Sequence, residues 1–356
     1  MTDISRRKAE HLDLCATDDV AFRQKSTLLD AVELLHDALP ELSIDDIDTT
    51  ALVCGKFLSA PLIIAAMTGG VEQAESVNRD LAVAAQEHGL GLGFGSMRPM
   101  FEKPLAPGYR VRDVAPDILL LGNIGVVQAK AIPTSHIQDV MGETGCDALC
   151  IHLNPAMEVI QSDGDRDFRG ALDTIIRLHQ DLDLPVIVKE TGCGLSRTVG
   201  LRLVKAGIRW VDTSGAGGTS WVGVETLRAR SRSRELGERF WDWGIPTAAS
   251  VVQLSGLDLG IIATGGVRHG LDVVRALALG ASAGGIARPF LQAWNQGGLD
   301  AVAGAVAAVV EEIRLAMLLT GARRVDDLRT QRIVLSPELL RWVPEDSPVL
   351  ARLTSA

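Results

Sequence analysis

Aromatic side chains make up only 4% of this 356-residue sequence, and tyrosine occurs once. That scarcity leaves no row of stacking rings for single-stranded nucleic acid. Asp and Glu outnumber Lys and Arg by 45 to 35, a net charge of −10 spread without long blocks. A nucleic-acid binder would instead show a basic face. The five cysteines (Cys15, Cys54, Cys146, Cys150, Cys193) are odd in number and form no CxxC pair. Neither a disulfide framework nor a zinc site is expected, and buried thiols are the default. No apolar run approaches the roughly 18 residues that would span a bilayer. The charged start, Met1 to Leu14, has no apolar signal core, so the expectation is a cytoplasmic protein without a membrane partner. A dinucleotide fold would announce itself by G-x-G-x-x-G after an early strand. It is missing: Gly91, Gly93 and Gly95 alternate in strand phase instead. No Walker A pattern occurs either.

Hydrophobic residues account for 47% of the chain, enough to bury one large core or two smaller ones. Eight short apolar runs alternate with helical patterns. They are Pro61–Ala66, Leu90–Gly95, Ile118–Gly122, Ala148–Ile151, Pro185–Val188, Arg209–Asp212, Ile261–Ala263 and the small-residue run from Ala281 to Arg288. Their order predicts an α/β fold, a single (β/α)8 TIM barrel with an N-terminal extension and a short C-terminal tail. The boundaries expected are 1–58 for the arm and barrel-bottom cap, 59–330 for the barrel and 331–356 for the tail. Within the arm, Thr27–Leu39 has helical spacing, and Leu42–Phe57 reads as a turn with short strands. Leu299–Leu319 is expected to be the eighth helix. Residues 220–245, with Arg228, Arg230, Arg232, Arg234 and Arg239, read as a long charged loop, with a lid as the functional alternative. The tail reads as a short helix plus turns.

In such a barrel, polar residues at the carboxyl ends of strands face one site. Those ends supply Thr68, Ser96, Arg98, Asn123, His152, Asn154, Lys189, Ser214, Thr219, Arg268 and Arg288. Gly265-Gly266 with Arg268, and Gly284-Gly285 with Arg288, read as a phosphate cradle of backbone donors and cations. Lys189 ends an apolar strand, so its ammonium needs an anion or must lose its proton. Glu190 points to the other face. A cationic Lys beside a phosphate cradle suggests flavin mononucleotide. Glu158 could hold Mg²⁺ together with substrate phosphate oxygens. Asp163-Gly-Asp165 lacks the distal Glu of a calcium loop and reads as a turn. Arg7, Lys8 and His11 form a basic cluster that could act as a flap over a diphosphate, at residues 5–14.

Taken in order, Arg7-Lys8-Ala-Glu-His11, Met67-Thr-Gly-Gly70, Gly95-Ser-Met-Arg98, Asn123-Ile-Gly125, His152-Leu-Asn154, Gly164-Asp-Arg-Asp-Phe168, Val188-Lys-Glu190, Gly217-Gly-Thr-Ser-Trp221, Trp243-Gly-Ile-Pro-Thr247 and Gly265-Gly-Val-Arg268 resemble the type 2 isopentenyl-diphosphate isomerases. The resemblance runs from about residue 5 to 330. It implies an FMN- and Mg²⁺-dependent enzyme that interconverts isopentenyl and dimethylallyl diphosphate, its flavin reduced by NADPH. FMN contacts would fall on Met67, Thr68, Ser96, Asn123, Lys189, Ser214, Thr219, Gly265, Gly266, Ala287 and Arg288, with Arg268 beside them. Diphosphate contacts would fall on Arg7, Lys8, His11, Ser96, Arg98, His152 and Asn154, and the metal carboxylate on Glu158. Lys189, His152 and Asn154 are the expected catalytic residues, and a homo-oligomer, tetramer or octamer, is implied. One position departs. The family reads His-x-Asn-x-x-Gln-Glu, and here Met157 stands for the Gln. Met neither gives nor accepts a proton. The alternatives are therefore another prenyl or allylic diphosphate, handled by an isomerase or reductase, or a ligand-binding relative with impaired catalysis.

Overall fold

The first strands are β1 (Val32–Leu34) and a hairpin of β2 (Ala51–Val53) and β3 (Lys56–Leu58). The structure is a computed structural model, and it describes residues 14, 20–67, 69–70, 72–102 and 106–353. After the hairpin come β4 (Leu62–Ile64), β5 (Gly91–Gly93), β6 (Leu119–Gly125), β7 (Ala148–Leu153), β8 (Val186–Glu190), β9 (Trp210–Asp212), β10 (Gly260–Ala263) and β11 (Ala283–Ile286). These eight are parallel and close into a barrel, β11 pairing back onto β4. The fold is the (β/α)8 barrel that the alternation of runs predicts. Both faces of such strands are covered, so they read as continuous apolar runs. β6 is buried along its whole length, and so is β8.

The two-residue period of a strand sets what faces inward. Leu121, Cys150, Ile187 and Ile262 belong to one interior cluster. Two positions further along each strand stand Asn123, His152, Lys189 and Thr264. An apolar lower layer thus carries a polar upper layer. The β2–β3 hairpin plugs the lower end: Val53, Cys54 and Leu58 join the same interior cluster. Lys56 anchors the plug, its Nζ reaching the Ile118 carbonyl at 2.8 Å and Asp147 at 3.1 Å.

Three local expectations are corrected. Thr27–Leu39 is not a helix. Leu28 has φ of 56°, which a helix cannot contain, and Val32–Leu34 pairs antiparallel with β12 (Ile333–Leu335) of the tail. The apolar spacing there serves a turn and a strand, and Leu39 is left 76% exposed. Residues 220–245 are not a loop but two helices, Trp221–Arg228 and Ser231–Phe240. The Ser220 side chain caps the first by accepting from Gly223 N at 3.0 Å. Arg230, Arg232, Arg234 and Arg239 are exposed, while Val222, Val224 and Thr226 are buried and Arg228 pairs with the buried Glu225 at 2.7 Å. The final long helix begins at Arg288, not Leu299, and runs to Leu319 with a break in helical geometry at Gly297 and Gly298. Among the described residues, no helix is long and apolar enough to cross a membrane.

Candidate active site

Strand register builds the site. Gly125 lies opposite His152, His152 opposite Lys189, and Lys189 opposite Asp212. One row therefore crosses four neighbouring strands at the upper end of the barrel. Lys189 Nζ donates to Asp212 Oδ2 at 2.8 Å, and each side chain is only 9% exposed. The other carboxylate oxygen accepts from Ser214 N at 3.1 Å and from the Thr264 hydroxyl. A buried ion pair holds only when its remaining lone pairs are satisfied, and these bonds do that. Asp212 is the anion that Lys189 requires, and motif reading missed it. The available signal was an Asp ending the next strand in the same inward phase.

Glu190 takes the opposite face, as alternation requires. It is buried, and its Oε2 accepts from Thr191 N at 2.6 Å and from Cys193 N. Desolvation raises its carboxyl to about 7, although the surrounding amide donors and Lys189 pull the other way. It therefore ties down the loop whose Thr191 and Gly192 line the cavity.

That cavity has a volume of about 750 Å³, within the range of sites for drug-sized ligands, roughly 300–1,000 Å³. The strand-end residues converge on it: Met67, Ser96, Arg98, Asn123, His152, Asn154, Lys189, Ser214 and Thr219 all line it. Gly265, Gly266, Arg268, Ala287, Arg288 and Glu158 line it too. Arg7, Lys8, His11 and Thr68 lie outside the described residues. Ala21 reaches the same cavity, because residues 20–22 run beside the loop after β9: Phe22 N donates to Gly218 O at 3.1 Å, and Ser220 N to Val20 O at 2.8 Å.

Within the cavity the polar groups are fixed. His152 Nδ1 and Asn123 Oδ1 are 2.9 Å apart, and Asn123 Nδ2 donates to Phe94 O at 3.0 Å. Asn154 Nδ2 donates to Glu158 Oε1 at 2.7 Å, while Glu158 Oε2 accepts from Asp165 N at 2.9 Å. The 163–165 turn thus buttresses Glu158, and Gln128 Nε2 holds Asp165 at 2.8 Å. Arg98 is paired with Glu102 at 2.9 Å. Among the described residues no cluster of three or more His, Cys, Asp or Glu could cage a metal, so Glu158 stands as a lone carboxylate. The glycine pair has a role besides approach to an anion. Gly265 and Gly266 have φ of 98° and 75°, and a Cβ on either would strike the backbone of Gly215 or Gly217 at 2.2–2.8 Å. The two loops that frame this corner pack backbone to backbone.

Comparison with known proteins places this geometry. A model of the FMN-dependent dehydrogenase family matches residues 150–335. A mandelate oxidase variant crystallised with (S)-mandelic acid superposes with a TM-score of 0.64, covering 94% of this chain and 98% of that one at 20% identity. A flavocytochrome b2 variant with sulfite bound gives 0.66 over 97% and 85% at 19%. At that identity the likeness is one of fold. The class is thus an α/β barrel of the FMN-dependent dehydrogenase family.

Nearer relatives narrow it. The isopentenyl-diphosphate delta-isomerase of Methanosarcina mazei is 44% identical over 338 residues, 93% of this chain and 92% of that protein. Its counterpart in Synechococcus sp. is 47% identical over 83% and 86%, and that of Pyrococcus furiosus 39% over 95% and 89%. The chain belongs to the type 2 isopentenyl-diphosphate delta-isomerases.

Proposed function

We propose that this cavity interconverts isopentenyl and dimethylallyl diphosphate. The observation that carries the reading is the convergence, in one cavity, of Lys189, Arg268 and Arg288 with the lone carboxylate Glu158. Two phosphorylated molecules, cofactor and substrate, would need such a set of cations and a metal-binding carboxylate.

The residues fit FMN. Ala65, Ala66 and Gly95 make a low wall on one side of the cavity, and the Gly265-Gly266 turn and the helix starting at Arg288 close another. A flat ring suits the first and a phosphate the second. Met67, Thr68, Ser96, Asn123, Lys189, Ser214, Thr219, Gly265, Gly266, Ala287 and Arg288 would hold the cofactor, with Arg268 at the rim. When bound in reduced form, with NADPH as reductant, the flavin supplies an electron-rich face and an exchangeable proton beside the substrate's double bond.

The chain's own groups do the rest. Asp212 pairs with Lys189 and fixes its side chain at the cavity wall. Asn123 fixes the ring of His152, and His152, Asn154 and Arg98 would receive the diphosphate, joined by Arg7, Lys8 and His11 from the arm. Glu158, held by Asn154 and Asp165 N, would share Mg²⁺ with the diphosphate oxygens. Thioether Met157 and indole Trp221 give the hydrocarbon end an apolar wall. We further propose a cytoplasmic homo-oligomer, a tetramer or octamer.

The test is direct. Purified protein should show flavin absorption bands. Under anaerobic conditions with reduced FMN, Mg²⁺ and isopentenyl diphosphate it should form dimethylallyl diphosphate. Absence of that product would overturn the reading. Met157 favours a second reading, another allylic diphosphate, and consumption of NADPH in step with product would point to a reductase.

A further inference from the structure

At the end of the barrel opposite the active site lies a second cavity, of about 350 Å³. It opens where β10 and β11 begin and where the helices ending near Ser255 and Gly280 finish. Two guanidinium groups, Arg329 and Arg352, line it together with Ser255, Ser282, Leu257 and Pro348. No acidic residue lines it.

Backbone and hydroxyl acceptors position both arginines, and Arg329 also has an ion pair with Asp326 on its outer side. Arg352 donates to the Ala278 carbonyl at 2.6 Å and to Leu328 O at 3.3 Å. Arg329 donates to Ala281 O at 3.0 Å and to the Ser282 hydroxyl at 3.2 Å. These acceptors orient the two forks without cancelling their charge. The carboxylate paired with Arg329, Asp326 at 3.6 Å, is 87% exposed. Two nearby acids are engaged elsewhere, Asp258 with Arg209 and Asp346 with Arg197. Burial and the neighbouring Arg329 both press the Arg352 guanidinium toward losing its proton. The Ser255 side chain adds an independent sign. It is 96% buried and lines this cavity.

We propose that this cavity is a binding site for a small phosphate ester, its phosphate held between Arg329 and Arg352 and hydrogen-bonded by Ser255, its carbon chain lying against Leu257 and Pro348. Like charges facing one concavity, with a serine between apolar walls, are what such a ligand completes.

The experiment uses the flavin-loaded enzyme with inorganic phosphate and n-pentyl phosphate as probes. Wild type, Arg329→Gln and Ser255→Ala are compared by calorimetric titration and by the rise in Tm that each probe produces. Ligand that binds the folded state raises Tm. The variants are expected to weaken the lower-site isotherm about tenfold or more and to shrink the probe-induced rise, with isomerase turnover unchanged. Tighter binding of n-pentyl phosphate than of phosphate would show that the apolar wall takes part. If the arginines are only staples for the tail, Arg329→Gln will lower Tm while every probe-induced rise stays as in wild type. That result, or identical isotherms in wild type and Arg329→Gln, overturns the proposal.

Discussion

Lys189 and Asp212 stand opposite one another in the register of β8 and β9, with Nζ and Oδ2 2.8 Å apart inside the barrel. The pair explains how an ammonium group can end an apolar strand. It also places the carboxylate below the cavity, because Asp212 is bonded to Ser214 N and the Thr264 hydroxyl as well. Removing one partner strands the other charge in a dry interior. Asp212→Leu is expected to destabilise the protein by about 3–5 kcal/mol. A Lys189→Met and Asp212→Leu double variant should recover much of that loss while no longer retaining flavin. Denaturant unfolding of the four proteins in the cycle measures the coupling, and simple additivity of the two losses would refute it.

Met157 bears on turnover. Its sulfur lies 4.0 Å from Asn154 Nδ2 and it lines the cavity. Met157→Gln places a donor and an acceptor there in nearly the same volume. It should raise kcat for isopentenyl diphosphate severalfold with little change in Mg²⁺ dependence. An unchanged or lower kcat would show that the thioether is no handicap in this chain.

Glu190 gives the stability a pH dependence of known sign. Its folded-state carboxyl is raised to about 7 from a reference of 4.5. Between those values the folded state holds a proton that the unfolded state has released, so stability falls as pH rises. The contribution is complete below 4.5 and is lost as pH climbs through 7. Glu190→Gln keeps an oxygen for the Thr191 and Cys193 amides but cannot ionise. Its unfolding free energy should be flatter across that window than that of wild type, and parallel curves would exclude the assignment.

Gly266 and Gly304 should respond oppositely to alanine. At Gly266, φ is 75° and a Cβ would meet Thr27 Cγ2 at 2.5 Å and Gly218 N at 2.8 Å. Gly266→Ala is expected to cost about 1–3 kcal/mol and to weaken flavin retention. Gly304 lies within the last long helix with nothing near its missing Cβ. Gly304→Ala should stabilise by about 0.5–1 kcal/mol. Thermal unfolding of both variants decides the matter.

The buried thiols should be inert while the protein is folded. Burial raises Cys54 and Cys146 to about 12 and pushes Cys150 up as well. Little thiolate is present at neutral pH, and access is closed. Iodoacetamide at pH 7.5 should leave these three unmodified until denaturant is added, as read by mass spectrometry of peptides. Rapid labelling of Cys150 in folded protein would contradict the packed lower barrel.

Much of the site was legible because strand geometry is local. An apolar run with period two, ending in a polar residue, already says which side chains crown the barrel. Asn123, His152, Lys189 and Arg288 were found that way, and the structure brings them to one cavity. Local spacing misled at Thr27–Leu39, where a turn and a strand imitate helical periodicity. It misled again at 220–245, where a conspicuous set of arginines drew attention away from the residues that pack, Val222, Val224 and Thr226 among them.

From its own letters the chain determined the eight alternating units, the plug below them and the polar rim above, since face and period follow from neighbours a few residues apart. Which groups meet across that rim was decided only by closure of the barrel. Lys189 reached Asp212 rather than Glu190, β1 found β12 three hundred residues away, and Arg329 came to face Arg352 across a hollow. Such pairings depend on strand register and on segments brought together by a shared core, and no local pattern encodes the partner.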